Sequence, residues 1–426
     1  MTPPFTVEAA TALGGPSWLR ARRAAAAERV VDAEVPTEAE EVWRYSRIGE
    51  LDLEAYVPMA PDVATDQGVP ETLERVLAVA GERSGLIVLR NGRVAHVELD
   101  PDLARRGVVL GPLTDTGDGD DAHGAVAQSD TDYFTLMNAA YVEVPVIVRV
   151  PAGVTVAKPF AVLHWIDADG AAVFPRTIVQ TGADSEVTVV EYHASPDVAA
   201  LTVPVVELDV GDASRVHYLN VQQLGRRVWQ IAYQASRVGR DATLNSSSVA
   251  LGGDYARVRT DSAVVGKGAT SNLLAVYFGD GQSMHDFRTM QDHVAPATTS
   301  DLLFKGAVRD EAKSVYSGLI RVRKEAAGTN AFQTNRNLVL SEGAHVESVP
   351  NLEIEANDVR CSHASAVGPI DEEQRFYLES RGVEPAVAER LIVLGFFGEV
   401  LDRLPVAALA GPLRGAVMAK LTGTGR

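Results

Sequence analysis

The chain has 426 residues, 46% of them hydrophobic and 23% charged, with a mean hydropathy of +0.00. That balance excludes wholesale disorder, and the length allows two to four domains or one elongated repeat body with appendages. Lys and Arg number 39 against 57 Asp and Glu, a formal net charge of -18, which argues against binding nucleic acid or a membrane surface. A single cysteine excludes an internal disulfide and any iron–sulfur or zinc site built from several thiolates of this chain. Residues 1–10 carry no basic head before an apolar core, and no uncharged apolar run reaches the ~18 residues of a membrane span. The expected location is the cytoplasm.

Residues 1–130 read as a mostly helical N-terminal domain with a few strands. Trp18-Leu-Arg20 leads into the helix-favouring alanine run 24–27. A helix is predicted over 71–80, where Leu73, Val76 and Leu77 recur at helical spacing. Residues 85–110 alternate as short strands, and 133–141 can form one more helix.

Residues 131–372 differ in kind. From about 142 to 367, short β-branched runs follow one another between Gly, Asp and Ala, as in a sandwich, barrel or solenoid. An internal period chooses between them. A small turn residue, polar positions and then a strand recur at Ala183, Ala213, Ala242, Ala269, Ala297, Ala326 and Ala356, spaced by 30, 29, 27, 28, 29 and 30 residues. A sandwich has no reason to repeat at one period, whereas stacked coils that bury a continuous core do. The expected core is a parallel β-helix.

Residues 373–426 return to helical texture as a C-terminal domain. Glu384-Pro385 marks a helix start, with proline at the first helical position. Val387, Leu391, Leu394 and Leu401 make one apolar stripe, and Ile392, Phe396 and Val400 a second. A helix lying on its own domain needs one stripe. The other is covered either by residues 406–421 or by another protein.

No phosphate loop, zinc-protease motif or nucleophile elbow is present. Gly266-Lys-Gly268 and Gly279-Asp-Gly281 open no helix and read as turns. His285, Asp286, Asp292 and His293 match no standard ligand spacing and read as satisfied polar residues on strand ends. Arg360-Cys-Ser-His363 carries more. In a strand, Cys361 and His363 project from one face, side by side, and both types bind iron, zinc or copper. Two donors complete neither a tetrahedral metal nor a cluster, so the pair is either half of a shared site or an inert thiol beside a hydrogen-bonded histidine.

Several motifs bear on that choice. Gln333-Thr-Asn-Arg-Asn-Leu-Val-Leu-Ser341, Val349-Pro-Asn-Leu-Glu-Ile354, Asp358-Val-Arg-Cys-Ser-His-Ala-Ser-Ala-Val-Gly368 and Gln374-Arg-Phe-Tyr-Leu-Glu-Ser-Arg-Gly382 resemble the SufB/SufD family of iron–sulfur cluster assembly proteins. Met284-His-Asp-Phe-Arg288, Lys305-Gly306, Tyr316-Ser-Gly318 and Val150-Pro-Ala-Gly-Val-Thr-Val156 resemble the same family. The resemblance is to the SufD branch, because SufB-type chains carry a cysteine at the position of Asn335. It implies a right-handed parallel β-helix between helical terminal domains. It also implies a complex with a SufB-like subunit and a SufC-like ABC-type ATPase. The site it implies is a transient cluster at the SufB–SufD interface, held by His363, with Cys361 beside it, together with a SufB cysteine. Such a chain is a non-catalytic scaffold, holds no stable cluster alone, and rests as a homodimer or a heterodimer. The C-terminal helix, through Leu391, Ile392, Phe396 and Val400, is the expected ATPase dock. Two other classes compete: a β-helix that cleaves polysaccharide with Glu342, Glu347, Glu353 or Glu355, and a metal-free interaction solenoid.

Overall fold

The computed structural model describes residues 4–58, 69–113 and 119–423. Its centre is a β-solenoid of about eight coils with helices at both chain ends. From Arg215–Gln223 onward, successive strands alternate between a ten-stranded and a twelve-stranded sheet, each pairing in parallel with the strand one coil earlier. Glu186, Arg215, Thr243, Thr270, Thr299, Asn330 and Arg360 stand in line down the ten-stranded sheet, at steps of 29, 28, 27, 29, 31 and 30 residues by subtraction. The period expected from the alanine positions is therefore the length of one coil.

Turn chemistry at, or one residue from, five of those seven alanines makes the period legible. Asp184, Ala213, Asp241, Gly268 and Ala297 adopt left-handed φ angles between 55° and 74°, one per coil, which favour Asp, Asn and Gly and disfavour branched residues. At the corners the coils stack backbone on backbone. A Cβ on Gly266 would lie 1.9 Å from the Arg240 amide nitrogen, so no larger residue fits there.

The helices cover the outer faces. Ser17–Asp32 and Tyr133–Tyr141 lay Ala27, Val30, Phe134 and Met137 on Leu201, Ile231, Tyr255 and Met284 of the twelve-stranded sheet. Pro385–Leu401 and Ala407–Thr422 lay Val393, Phe397, Leu413 and Val417 on Val249, Val276, Phe278 and Leu303 of the ten-stranded sheet. The helices predicted over 71–80 and 133–141 appear as Glu71–Ala80 and Tyr133–Tyr141, the latter opened by a capping box between Asp132 and Thr135. No helix among the described residues is long and apolar enough to cross a membrane.

The stripes expected on Pro385–Leu401 both break. Leu391 is 49% exposed while Val400 is fully buried, and the buried line runs Ala388, Val393, Phe397, Val400, Leu401. The helix touches the sheet, Glu372–Ser380 and Ala407–Thr422 together, so it is apolar on several sides and no single stripe marks its core face.

The two ends of the solenoid differ. At the first, Gly85–Arg90 pairs in parallel with Phe160–Trp165 and is capped by antiparallel Arg93–Leu99, while Val109–Pro112 lies antiparallel to Val146–Val150. The strands read from sequence as part of the N-terminal domain thus extend and finish both sheets. At the second, His345–Ile354 and Val359–Gly368 are the last strands of their sheets, and among the described residues nothing pairs with their far sides.

A buried ionic knot ties the N-terminal segment to the solenoid wall. The fully buried Asp286 carboxylate accepts hydrogen bonds from Tyr255 (2.8 Å), Arg257 (2.5 Å) and Arg288 (2.6 Å). The same guanidinium groups donate to the carbonyls of Val42 (2.5 Å) and Arg44 (2.6 Å), and Arg257 lies 3.9 Å above the Trp43 ring. Burial pushes the Asp286 pKa up, but the two arginines outweigh it and hold the carboxyl below its ordinary value. A lowered folded pKa means stability that is present above about pH 4 and lost as the pH falls through the folded value. Asp286→Asn is expected to cost about 3–5 kcal/mol in urea unfolding, because two buried cations lose their partner. The acid limb of the variant's stability profile should be flatter than that of the native chain.

Candidate functional site

Cys361 and His363 lie on Val359–Gly368, the uncovered strand of the ten-stranded sheet, opposite Ala331 and Gln333 of Thr329–Val339. Cys361 packs on the small apolar cluster of Ile320, Val322, Ala326 and Ala331 inside the coil, and is half-buried there. Strand alternation puts His363 on the same inward face, yet His363 is exposed, because no further coil covers it. The structure brings the two predicted residues onto one face at the mouth of the solenoid.

Beneath them the lumen is polar. Ser365 donates to Ser348 (2.8 Å), and Ser348 to the Asn335 side-chain oxygen (2.7 Å), which also accepts from Asn337 (2.7 Å). The Asn335 amide donates to the Tyr277 hydroxyl (2.9 Å), which donates to Asn337 (2.8 Å) and closes a ring. Gly306 makes room for it: a Cβ there would sit 2.0 Å from the Tyr277 ring. Asn335 is thus a fully buried network residue. Gln333, 1% exposed and opposite His363, makes no hydrogen bond through either amide atom. Its place in the register adds a buried amide to the thiol and imidazole of the mouth. Sequence reasoning passed over Gln333, Asn337, Ser348 and Ser365. The visible signal was three amides at alternate positions, 333, 335 and 337, on a face filled by Leu302 and Phe304 one coil earlier.

The proposed docking residues divide. Leu391, Ile392 and Phe396 line a groove of about 840 Å³ with Leu338, Pro369 and Tyr377, beside the exposed Phe376 and Tyr377 rings. Val400 faces the sheet and is no part of it. Lys305, 4% exposed, donates to the Phe396 carbonyl (2.9 Å), ion-pairs with Glu399 and sits 4.6 Å from the Phe396 ring centre. The hydrogen bond and charge of Lys305 hold the Glu399 carboxyl below the usual carboxylate range.

Of the four residues read as satisfied on strand ends, three are. His293 bonds Thr298 (2.7 Å) and Ser300 (2.9 Å), Asp292 pairs with Arg323 (2.6 Å), and Asp286 forms the knot above. His285 differs: it is buried with no hydrogen bond of ordinary geometry at either ring nitrogen. Of the carboxylates considered for glycan cleavage, Glu353 pairs with Arg321 (2.9 Å) and Glu347 with His345 (2.8 Å).

Burial pushes the Cys361 thiol above its ordinary pKa, against a smaller opposing hydrogen bond with the Ala331 backbone. At neutral pH it is a thiol, and a thiol is neither a nucleophile nor a good metal ligand. Alkylation of Cys361 in the folded chain should therefore be slower at pH 7 than that of a free cysteine. Its rate should climb with pH through a midpoint above 9.0, read by mass spectrometry.

Comparison with known proteins joins this geometry to a family. The family model described as SUF system FeS cluster assembly, SufBD core domain, matches residues 164–396. A SufBD family iron–sulfur cluster assembly protein of Mycobacterium tuberculosis is 32% identical over 398 residues, 91% of this chain and 90% of its own. The iron–sulfur cluster assembly protein SufD of Bacillus subtilis is 26% identical over 423 residues, 95% of this chain and 94% of its own. SufD of Escherichia coli is 26% identical over 399 residues, 92% and 90% of the two chains. With a family model over more than half its length and relatives along nearly all of it, the chain belongs to the SufBD family of iron–sulfur cluster assembly proteins.

Proposed function

We propose that the chain is the scaffold subunit of a SUF assembly complex, offering His363 to a nascent iron–sulfur cluster at an interface with a SufB-like subunit. The observation that carries this reading is the uncapped end of the solenoid. Two ten-residue strands, their outer edges unpaired among the described residues, surround a lumen whose side chains would be buried by one more coil. An edge of that length is a template for pairing and is ordinarily blunted or covered. The cluster is cargo here, and the chain supplies part of its ligand set. One imidazole and one half-buried thiol fall short of the three or four donors a stable cluster needs, so the rest come from the partner. The isolated chain should purify colourless.

A SufC-like ATPase docks, in this reading, at the groove of Leu391, Ile392 and Phe396. Lys305 supplies the mechanical link. It fastens this helix to Thr299–Val308, which pairs with Thr329–Val339, which pairs with the strand of His363. A displacement of the helix is delivered two strands from the edge.

Two variants test the halves separately. His363→Ala should lower cluster formation in the complex reconstituted with the SufB-like and ATPase subunits, while an exposed site leaves the melting temperature nearly unchanged. Equal cluster yield would remove His363 from the site. Phe396→Ala should weaken binding of the ATPase about 30-fold, the loss of ~2 kcal/mol for one interface anchor. Normal affinity in a well-folded variant would place the dock elsewhere.

A further inference from the structure

About 29 Å from the open end, six strand spacings down the ten-stranded sheet, the lumen holds a second group of donors. His164 on Phe160–Trp165 and His193 on Glu186–Ala194 are register partners on adjacent coils. Their rings stack with centroids 4.2 Å apart and planes within 4°. Glu191 shares the inward face of its strand with His193. Both imidazoles turn Nε2 toward the same Glu191 oxygen, Oε1, at 2.6 Å for His164 and 3.6 Å for His193. All three residues are at most 3% exposed. The second carboxylate oxygen is held by the Tyr218 hydroxyl (2.6 Å), and Thr177 donates to Oε1 (2.8 Å).

As a purely structural polar cluster this group is incomplete at its imidazoles. Among the described residues no Lys or Arg pairs with the Glu191 carboxylate, which is held by His164, Tyr218 and Thr177. His193 makes no hydrogen bond at either nitrogen, although it is fully buried. Buried charges are paired or bind metal, and an unpartnered buried polar group costs about 1–3 kcal/mol.

We propose that His164, Glu191 and His193 bind one divalent transition-metal ion of the zinc or ferrous class inside the solenoid. Two histidines and one carboxylate suit both ions, and no thiolate is required. Bonds of ~2.0–2.1 Å put tetrahedral ligand atoms about 3.3 Å apart. The Glu191–His193 separation is near that already. His164 needs to retreat from hydrogen-bond distance, with the two stacked rings fanning apart. Tyr218 and Thr177 then orient the carboxylate from outside. Enclosed on all sides, the ion enters as the chain folds and is resident, separate from the cargo handled at the open end.

The test uses the full chain, unfolded in chelator and refolded with Zn²⁺, Fe²⁺ or Co²⁺, followed by desalting and elemental analysis. The expected result is about one retained equivalent, a raised melting temperature and a visible Co²⁺ spectrum. His193→Gln and Glu191→Gln should lower retention at least ~10-fold, the least that loss of a ligand costs when a second-sphere partner alone costs 10–100-fold. His285→Gln, at a buried imidazole outside the group, should retain the metal. Fewer than about 0.1 equivalents in the refolded native chain with all three ions, or equal retention in His193→Gln, would overturn the assignment; an internal water would then occupy the gap.

Discussion

Each coil of this molecule is built on the backbone of the coil before it. The parallel ladders bind residue to residue across steps of about 29 positions, and corner glycines such as Gly266 let main chain rest on main chain. Everything else depends on that register. It places His363 over Gln333, His164 over His193, and Tyr277, Gly306 and Asn337 in line on three successive coils. A one-residue slip would turn each of these side chains out of the lumen, so the polar interior is as strict a demand on register as the apolar one.

How much was legible in the sequence follows from how local each signal is. The coil length was legible because the turn residues answer a local backbone requirement, a left-handed φ once per coil. The helices at Glu71–Ala80 and Tyr133–Tyr141 and the proline start at Pro385 were legible for the same reason. The faces of Pro385–Leu401 were not, because three different elements cover it and no period survives. The strands between 85 and 112 were seen as strands but not as the finish of both sheets, since their partners lie further along the chain.

The candidate site was legible in part. The i, i+2 spacing of Cys361 and His363 and the family resemblance picked the strand and the face. The lumen beneath was hidden, because its members meet across wide separations: Tyr277 reaches Asn335 and Asn337 across 58 and 60 residues. Nor does any pattern within Val359–Gly368 tell that it is the last of its sheet. Exposure of His363 is a property of what does not follow it in space.

The capped first end and the bare second end also set a limit on number. A solenoid bare at both ends would add neighbours in both directions and grow into a fibre. The first end offers only the shorter antiparallel strands Arg93–Leu99 and Val109–Pro112, which break the parallel register, whereas the second offers two ten-residue parallel edges, so addition is favoured at the second. Two such bodies that met at their long parallel edges would leave only those short antiparallel strands outside, a poor template for a third.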